Sequence, residues 1–220
     1  LYSSAASDVY KRQAIYKNGV NEMKNIIFDI GNVLLDFQPE KYLRQYFNES
    51  VMGDLMTIIF SSDEWIDLDL GHIMIQDAIQ SLTLKHPHYH DEITFVLNNW
   101  THMMVPLQKN VDLVYKLKDK GYSLYLLSNF HSEAILTMYQ RYDFFKLFDG
   151  AVISADEHLV KPDERIYQKL LERYTLLPEE SIFIDDMLAN INAAKTLGIN
   201  GIHLPYGNDL KSELEKLKII

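Results

Sequence analysis

The feature of this sequence that most constrains its fold is the alternation of short apolar segments with longer segments of helical periodicity. The apolar segments cover residues 25–28, 123–127, 151–153, 181–184 and 201–204, and all but 123–127 contain β-branched residues, as buried strands do. Helical patterns lie between them at residues 111–120, 132–142, 162–174 and 187–197. Such alternation favours a parallel sheet covered by helices on both faces. We therefore expect an α/β fold with a Rossmann-like, doubly wound parallel sheet.

One long segment interrupts this alternation. Residues 38–105 contain no strand pattern and predict several helices, at residues 39–46, 51–60, 73–84 and 91–104. We interpret residues 38–105 as a helical cap inserted into a core formed by residues 23–37 and 106–220.

The first 22 residues differ from the rest of the chain. They show no convincing period, residues 3–13 resemble translated vector sequence, and Met23 directly precedes the first strand pattern. We expect residues 1–22 to be a non-native leader and leave them out of the functional argument. An ordinary helical extension is the alternative.

Composition excludes several classes of function. The chain has 31 acidic and 21 basic residues, a formal net charge of -10 and no concentrated basic patch, so we expect no nucleic-acid partner. It has no cysteine, and hence no disulfide or thiolate chemistry. No apolar run approaches the roughly 20 residues that a membrane-spanning helix needs. We expect a cytoplasmic protein without a membrane partner, and no sequence feature assigns an oligomeric state.

Polar residues follow the predicted strands in a fixed order. Asp29 and Gly31 follow the first strand, Ser128 and Asn129 the second, Lys161 precedes a helix, and Asp185 and Asp186 follow the fourth strand. Each has an ordinary alternative explanation, as a turn residue, a helix cap, a solvated base or the acidic start of a helix. Parallel strands, however, bring their carboxyl ends to one edge of the sheet, where ligand sites form. We expect the ordered set to form one site.

This combination of residue types suits the hydrolysis of phosphate esters. The uncatalysed reaction is extremely slow, and a carboxylate nucleophile divides it into formation and hydrolysis of an acyl phosphate. A carboxylate approaching an anionic phosphoryl group needs counterions. A lysine and a divalent cation held by carboxylates would supply them, and oxygen ligands favour Mg²⁺ over zinc.

Four segments resemble the motifs of the haloacid dehalogenase (HAD)-like hydrolase superfamily. Residues 26–36 resemble motif I, residues 126–129 motif II, residues 160–163 motif III, and residues 183–186 with Asn190 motif IV. The Gly-Asn-Val sequence that follows Asp29 and Ile30 is most similar to the branch containing alpha-glucose-1-phosphate phosphatase and the N-terminal phosphatase domain of soluble epoxide hydrolases.

The resemblance implies a role for each matched residue. It makes Asp29 the nucleophile and a metal ligand, gives the metal the carbonyl of Gly31 as a second ligand, and assigns Asp186 to the metal directly. It places Asp185 in support of the metal, through water or lysine. It implies that Ser128 and Asn129 hold phosphoryl oxygens and that Lys161 bridges nucleophile and phosphate. The implied fold is a Rossmann-like core with a helical cap inserted just after motif I.

Gly31 departs from the usual family pattern. Most phosphatases of the superfamily carry an aspartate two positions after the nucleophile, which acts as general acid and base. A positioned proton carrier typically contributes about 10²- to 10⁴-fold in rate. We therefore expect either a slow phosphatase or one that uses another proton carrier.

The leading functional hypothesis is Mg²⁺-dependent hydrolysis of a small phosphorylated metabolite, with a sugar phosphate as one option, through an aspartyl phosphate. A dehalogenase is an alternative, although it would not need the acidic pair Asp185 and Asp186. A regulatory protein that binds a phosphorylated metabolite with little turnover is another.

Overall fold

The computed structural model describes residues 23–220, so the expected leader at residues 1–22 lies outside the described residues. Five parallel strands form one sheet in the order β3-β2-β1-β4-β5. They are β1 Asn25–Phe28, β2 Ser123–Ser128, β3 Gly150–Ile153, β4 Ser181–Asp185 and β5 Asn200–His203. The sequence-based prediction of a doubly wound α/β sheet is confirmed.

Helices occupy the connections between the strands. Between β1 and β2 lie α1 Pro39–Leu43, α2 Glu49–Leu55, α3 Asp63–Asp69, α4 Ile75–Lys85, α5 His90–Asn99 and α6 Gln108–Asp119. The later helices are α7 Ser132–Arg141, α8 Ser154–Glu157, α9 Glu164–Tyr174, α10 Leu188–Thr196 and α11 Leu210–Lys216. Among residues 23–220, no helix has the length and apolar character needed to cross a membrane.

The central strand β1 positions the candidate site. It pairs with β2 on one side and β4 on the other, so that Phe28 lies level with Leu126 and Ile184. After β3 the chain crosses back over β1 to form β4. Ligand crevices of open parallel sheets form at such a switch point, beyond the carboxyl ends of the strands.

Side chains of β1 alternate between two apolar cores because successive strand residues point to opposite faces. Ile27 packs in a core formed with α9 and α10, whereas Ile26 and Phe28 belong to a larger core on the other face. The larger core continues into the helices between β1 and α6, where Leu55 and Leu82 are buried. We propose that these helices, within residues 38–105, are the inserted cap, and that residues 23–37 and 106–220 form the core domain.

Several helix boundaries differ from the sequence-based predictions. The helix predicted at 162–174 begins at Glu164, because the side chain of Asp163 caps it by accepting a hydrogen bond from the Arg165 N–H at 2.9 Å. The single helix predicted at 91–104 is wrong in its last part: α5 ends at Asn99 and a 3₁₀ turn, Trp100–Met103, follows.

Two further differences lie in the helical segment after β1. The helix predicted at 51–60 is α helix only as far as Leu55 and continues as a π turn, Met56–Phe60. Helix α3 was not predicted at all. Its N-cap is Ser62, whose side chain accepts a hydrogen bond from the Trp65 N–H at 3.1 Å. The sequence Ser62-Asp63-Glu64 is a typical helix start.

Candidate active site

Asp29 is the first residue after β1 and lies at the switch point of the sheet. Its main-chain N–H donates to the carbonyl of Ile184 at 2.9 Å, which extends the β1–β4 pairing by one residue. Its Oδ1 accepts from the N–H of Ile30 at 2.8 Å. The side chain is 11% exposed, so the carboxylate is held against the sheet with a small opening towards the neighbouring cavity.

Lys161 joins Asp29 to the acidic pair. Its Nζ lies 2.8 Å from Asp29 Oδ1 and 2.6 Å from Asp185 Oδ2, and its side chain is 2% exposed. The main chain of Lys161 is held in turn by Asn129, whose Oδ1 accepts from the Lys161 N–H at 2.8 Å and whose Nδ2 donates to the Lys161 carbonyl at 3.1 Å. The side chain of Asn129 thus positions Lys161. The expected contact between Asn129 and phosphate stays a prediction.

The two acidic residues after β4 have different surroundings. Asp185 is fully buried; beside Lys161 it accepts from the N–H of Met187 at 2.7 Å and from Asn190 Nδ2 at 3.0 Å to each oxygen. Its oxygens are therefore occupied by protein donors, which suits a residue that holds Lys161. Asp186 is half-buried and accepts from Asn32 Nδ2 at 3.0 Å.

Asn32 organises the turn that follows Asp29. Its Oδ1 accepts from the N–H of Phe37 and from Gln38 Nε2, both at 3.1 Å, while its Nδ2 reaches Asp186. Asn32 has a left-handed φ of 54°, which asparagine tolerates better than most residues. The sequence motif included Asn32, but its link between the turn and Asp186 was not predicted.

The carboxylates form a candidate divalent cation site. Among residues 23–220, Asp29, Asp185 and Asp186 form the one group of three or more acidic or histidine side chains whose ligand atoms all lie within 4.8 Å of one another. An all-oxygen donor set of this kind suits Mg²⁺. Gly31 lies beside them at the edge of the cavity. The chemistry of these residues thus fits the expected metal.

Burial and neighbouring charges perturb the ionisable groups. The pKa of Asp29 is raised to about 7, because burial and the neighbouring Asp185 raise it by more than Lys161 lowers it. The pKa of Lys161 is also raised: burial opposes its charge, but Asp29 and Asp185 together outweigh that effect. Burial likewise raises the pKa of Asp186. These carboxylates repel one another and depend on nearby positive charge.

Ser128 and Asn129 reach the same cavity from the end of β2. Ser128 is buried, and a hydrogen bond from its side chain lowers the pKa of Asp29. The structure therefore brings all seven sequence-predicted site residues to one edge of the sheet, although the role of each remains a proposal.

The other half of the cavity was not predicted from the sequence. The cavity has a volume of about 250 Å³, and its lining also includes Phe37, Trp65, Asp69, Trp100, Met104 and His131. Trp65 and Trp100 meet edge to face with ring centroids 5.2 Å apart. His131 lies against both, at 4.4 Å from the Trp65 ring and 4.8 Å from the Trp100 ring. Five of these six residues, all but His131, come from the part of the chain between β1 and α6.

Comparisons with known proteins agree with this site. The model of the family described as haloacid dehalogenase-like hydrolase matches residues 26–204. The sesquiterpene phosphatase astK of Aspergillus oryzae is 30% identical over 194 residues, which cover 88% of this chain and 96% of that protein. The phosphorylated carbohydrates phosphatase of Thermotoga maritima is 27% identical and covers 88% of this chain and 91% of its own.

A solved structure shows the same fold. A HAD family enzyme of Bacteroides thetaiotaomicron, crystallised with magnesium and inorganic phosphate, has a TM-score of 0.68 at 20% identity, covering 87% of this chain and 98% of its own. The comparisons confirm the predicted superfamily and the predicted class of enzyme, a HAD-type phosphatase; the branch within the superfamily stays a prediction. The chain belongs to the haloacid dehalogenase-like hydrolase family.

Proposed function

We propose that this protein hydrolyses a small phosphate monoester in a Mg²⁺-dependent reaction that passes through a phosphorylated Asp29. The observation that carries the proposal is the contact between Asp29 and Lys161 at 2.8 Å, at the mouth of a cavity that Asp186 also lines. A buried carboxylate next to a buried cation, with a cation site beside it, can approach an anionic phosphoryl group. This is the arrangement that nucleophilic catalysis by a carboxylate requires.

Charge balance is the reason for the metal. Asp29, Asp185 and Asp186 carry three negative charges against the single positive charge of Lys161. A pair of like charges about 5 Å apart costs about 3 kcal/mol at an effective dielectric of 20, so a phosphate dianion would be repelled. When bound, Mg²⁺ would neutralise this excess and polarise the phosphoryl oxygens. The magnesium and phosphate bound to the Bacteroides enzyme support this assignment.

In the proposed reaction each site residue would have a separate role. Asp29 would attack phosphorus, and Asp29, the carbonyl of Gly31 and Asp186 would hold the metal. Asp185 holds Lys161, which contacts the phosphoryl group, and so contributes to the metal site through that lysine rather than as a direct ligand.

The phosphoryl group needs donors on its other sides as well. Ser128 and Asn129 would supply hydrogen bonds to its oxygens, and both line the cavity next to Asp29. Such preorganised donors stabilise charge that develops in the transition state.

The cavity wall favours an ester whose organic part is largely apolar. Aromatic rings and a thioether face the carboxylates, and the polar side chains among them are Asp69 and His131. A sugar has several hydroxyl groups, and each one buried without a partner costs about 1–3 kcal/mol. Two polar side chains satisfy few of them. We therefore favour a phosphate ester of an apolar alcohol over a sugar phosphate. Of the two phosphatase relatives, one is named for a sesquiterpene and the other for phosphorylated carbohydrates, so their names support neither class over the other.

Quenched single-turnover assays with ³²P-labelled substrate test the mechanism. The wild-type protein should become labelled on Asp29 in the presence of Mg²⁺, and Asp29→Asn should show neither label nor turnover, because an amide is a very poor nucleophile. Asp67→Asn is a matched control, since Asp67 is a cap aspartate whose side chain is 44% exposed and pairs with His72. Turnover by a verified Asp29→Asn protein would exclude Asp29 as the nucleophile, whereas binding of phosphate without turnover in the wild type would favour a regulatory protein.

Metal dependence is measured in the same assay. Excess chelator should abolish turnover and added Mg²⁺ should restore it. Calorimetric titration should show Mg²⁺ binding that Asp186→Asn weakens and Asp67→Asn does not. Full activity in metal-free protein would overturn the magnesium assignment. A substrate series that pairs isoprenyl and aryl phosphates with sugar phosphates then tests the preference for apolar esters.

A further inference from the structure

The site described above lacks a proton carrier at Gly31, and the space there is empty. A Cβ atom built at Gly31 would meet no atom within 4 Å, and the backbone of Gly31 is not in the left-handed region. No neighbouring side chain has therefore moved into the place of the usual aspartate. A replacement must reach the cavity from elsewhere, and Asp69 is the carboxyl group that lines the cavity besides Asp29 and Asp186.

We propose that Asp69, the last residue of α3, is the general acid and base of this enzyme and supplies from the cap the proton transfer that Gly31 cannot provide. This inference rests on the proposed phosphatase function. It is carried by the position of Asp69 in the catalytic cavity and by the contacts that fix it there.

Three contacts dock the end of α3 on the core. The carbonyl of Asp69 accepts from Ser154 Oγ at 2.5 Å, and the carbonyl of Leu70 lies 2.8 Å from His158 Nδ1. Gly71, with a left-handed φ of 66°, lies so close to α8 that a Cβ atom would stand 2.2 Å from the carbonyl oxygen of Ala155. These contacts fix the main chain at Asp69 relative to the sheet, and its side chain lines the same cavity as Asp29.

His131 lies behind Asp69 and has unused hydrogen-bonding capacity. Its Nε2 is 3.4 Å from Asp69 Oδ1, long for a hydrogen bond. Within residues 23–220, neither ring nitrogen has a hydrogen-bond partner although the ring is buried. Unpaired buried polar atoms are rare in folded proteins and often mark functional sites. The long contact with His131 does not tie up the carboxyl group of Asp69, whose side chain is 20% exposed and lines the cavity.

The electrostatic surroundings suit a carboxyl group that gives and takes a proton. Burial raises the pKa of Asp69 to about 7, with Asp29 raising it and Lys161 lowering it. Burial lowers the pKa of His131 to about 3, so the imidazole is neutral and adds no positive charge to hold Asp69 ionised. General acid–base catalysis is most effective when the pKa lies near the working pH.

The proton balance closes over one turnover. In the first step an oxygen of Asp29 bonds to phosphorus, the bond from phosphorus to the leaving oxygen breaks with its electron pair on that oxygen, and the neutral Asp69 carboxyl group protonates it to the alcohol. In the second step the Asp69 carboxylate takes a proton from water as the water oxygen bonds to phosphorus. The bond between Asp29 and phosphorus breaks, and orthophosphate leaves with Asp69 neutral again.

Burst kinetics with two substrates test this role. Asp69→Asn keeps the shape of the side chain but transfers no proton. With an alkyl phosphate, whose leaving group needs protonation, we expect kcat to fall by about 10²- to 10⁴-fold. With p-nitrophenyl phosphate the first step should stay fast and the second become slow, so the variant should release one equivalent of nitrophenolate in a burst and accumulate phosphorylated Asp29.

Two further variants sharpen the comparison. Asp67→Asn, on the same helix, should behave as the wild type with both substrates. Adding Gly31→Asp to Asp69→Asn should restore at least part of the lost turnover, because the space beside Asp29 accepts the new side chain. The fold of each variant is checked by circular dichroism and by its affinity for orthovanadate.

The outcomes separate this inference from the proposed function. A folded Asp69→Asn protein that turns over both substrates within about threefold of the wild type, or loses both equally without a burst, would overturn the role of Asp69. The proposed function would still stand in that event, provided that Asp29→Asn is inactive. If Asp29→Asn retained wild-type turnover, the proposed function would fall and the role of Asp69 with it.

Discussion

Replacing Lys161 by methionine tests whether this buried lysine holds the site together. Methionine preserves most of the volume and removes the charge. Lys161 Nζ contacts Asp29 Oδ1 at 2.8 Å and Asp185 Oδ2 at 2.6 Å, and the side chain of Asp185 is completely buried. The variant would leave these two carboxylates facing each other without a cation.

The size of the effect follows from the distances. Oxygens of Asp29 and Asp185 lie within 4.8 Å of each other, and like charges at that separation repel by about 3.5 kcal/mol at an effective dielectric of 20. Breaking a buried ion pair by removing one partner typically costs about 3–5 kcal/mol. We expect Lys161→Met to lower the free energy of unfolding by that amount at pH 8 without metal. For a chain of this size the loss corresponds to about 6–20 °C in Tm.

The penalty should depend on pH and on magnesium in a defined direction. The pKa of Asp29 is raised by burial to about 7 from an ordinary value of 3.8, and Lys161 is the charged group that lowers it. A carboxyl group with a raised folded-state pKa destabilises the fold as the pH rises through that pKa. The cost of Lys161→Met should therefore shrink between pH 8 and pH 5.5. Mg²⁺ should stabilise the variant more than the wild type, because it returns positive charge to the site.

The matched control is Lys24→Met. Lys24 Nζ lies 2.7 Å from Glu180 Oε1, a distance like those at Lys161, but the two side chains are 49% and 22% exposed. Exposed pairs contribute about 0–1 kcal/mol. Thermal and urea unfolding of both variants give the comparison. A loss below about 1 kcal/mol in both, or a loss at Lys161 that neither acid nor Mg²⁺ relieves, would refute the electrostatic account of the site.

Three further variants probe the proposed cap. Asp69→Asn should stabilise the protein above pH 7 by up to about 4 kcal/mol and have little effect on stability near pH 4, because a pKa raised from 3.8 to about 7 makes ionisation of Asp69 costly only in the folded state. Urea unfolding at both pH values measures this difference in stability. Equal effects at the two pH values would contradict the raised pKa of Asp69. Gly71→Ala should lower both Tm and kcat, since its methyl group would collide with the carbonyl of Ala155, whereas Gly53→Ala, in open space within α2, should raise stability by up to about 1 kcal/mol and leave kcat unchanged.

The part of the site on the sheet could be predicted from the sequence because local patterns determine it. A short β-branched run followed by Asp29, and another followed by Asp185, place two carboxylates at the ends of parallel strands whatever the rest of the chain does. The order of predicted strands and helices also predicted that Lys161 lies at this edge of the sheet. It did not show that Asp185 accepts from Asn190 and Met187 or that Asn129 holds the main chain of Lys161, because those contacts depend on loop conformations.

The aromatic wall could not be predicted for a different reason. Trp65 and Trp100 belong to parts of the chain where helical periodicity predicts burial but not the partner. Their positions depend on how α3 and the turn Trp100–Met103 dock on the core, and that docking is set by contacts between residues far apart in sequence, such as Asp69 with Ser154.

The position of Asp69 at the end of α3 has a consequence for how catalysis is organised. The carboxyl end of a helix carries partial negative charge, which disfavours a carboxylate there and favours its neutral form. An aspartate two positions after the nucleophile would belong to the sheet and would stay beside Asp29 in any arrangement of the cap. In the structure Asp69 lines the cavity while its carbonyl accepts a hydrogen bond from Ser154 Oγ at 2.5 Å. Trp65, on the same helix, lines the cavity as well. The docking of α3 on the core would therefore place the proposed proton carrier and an apolar part of the wall together. In the proposed mechanism both steps would depend on this docking, because Asp69 would give a proton in the first step and take one in the second.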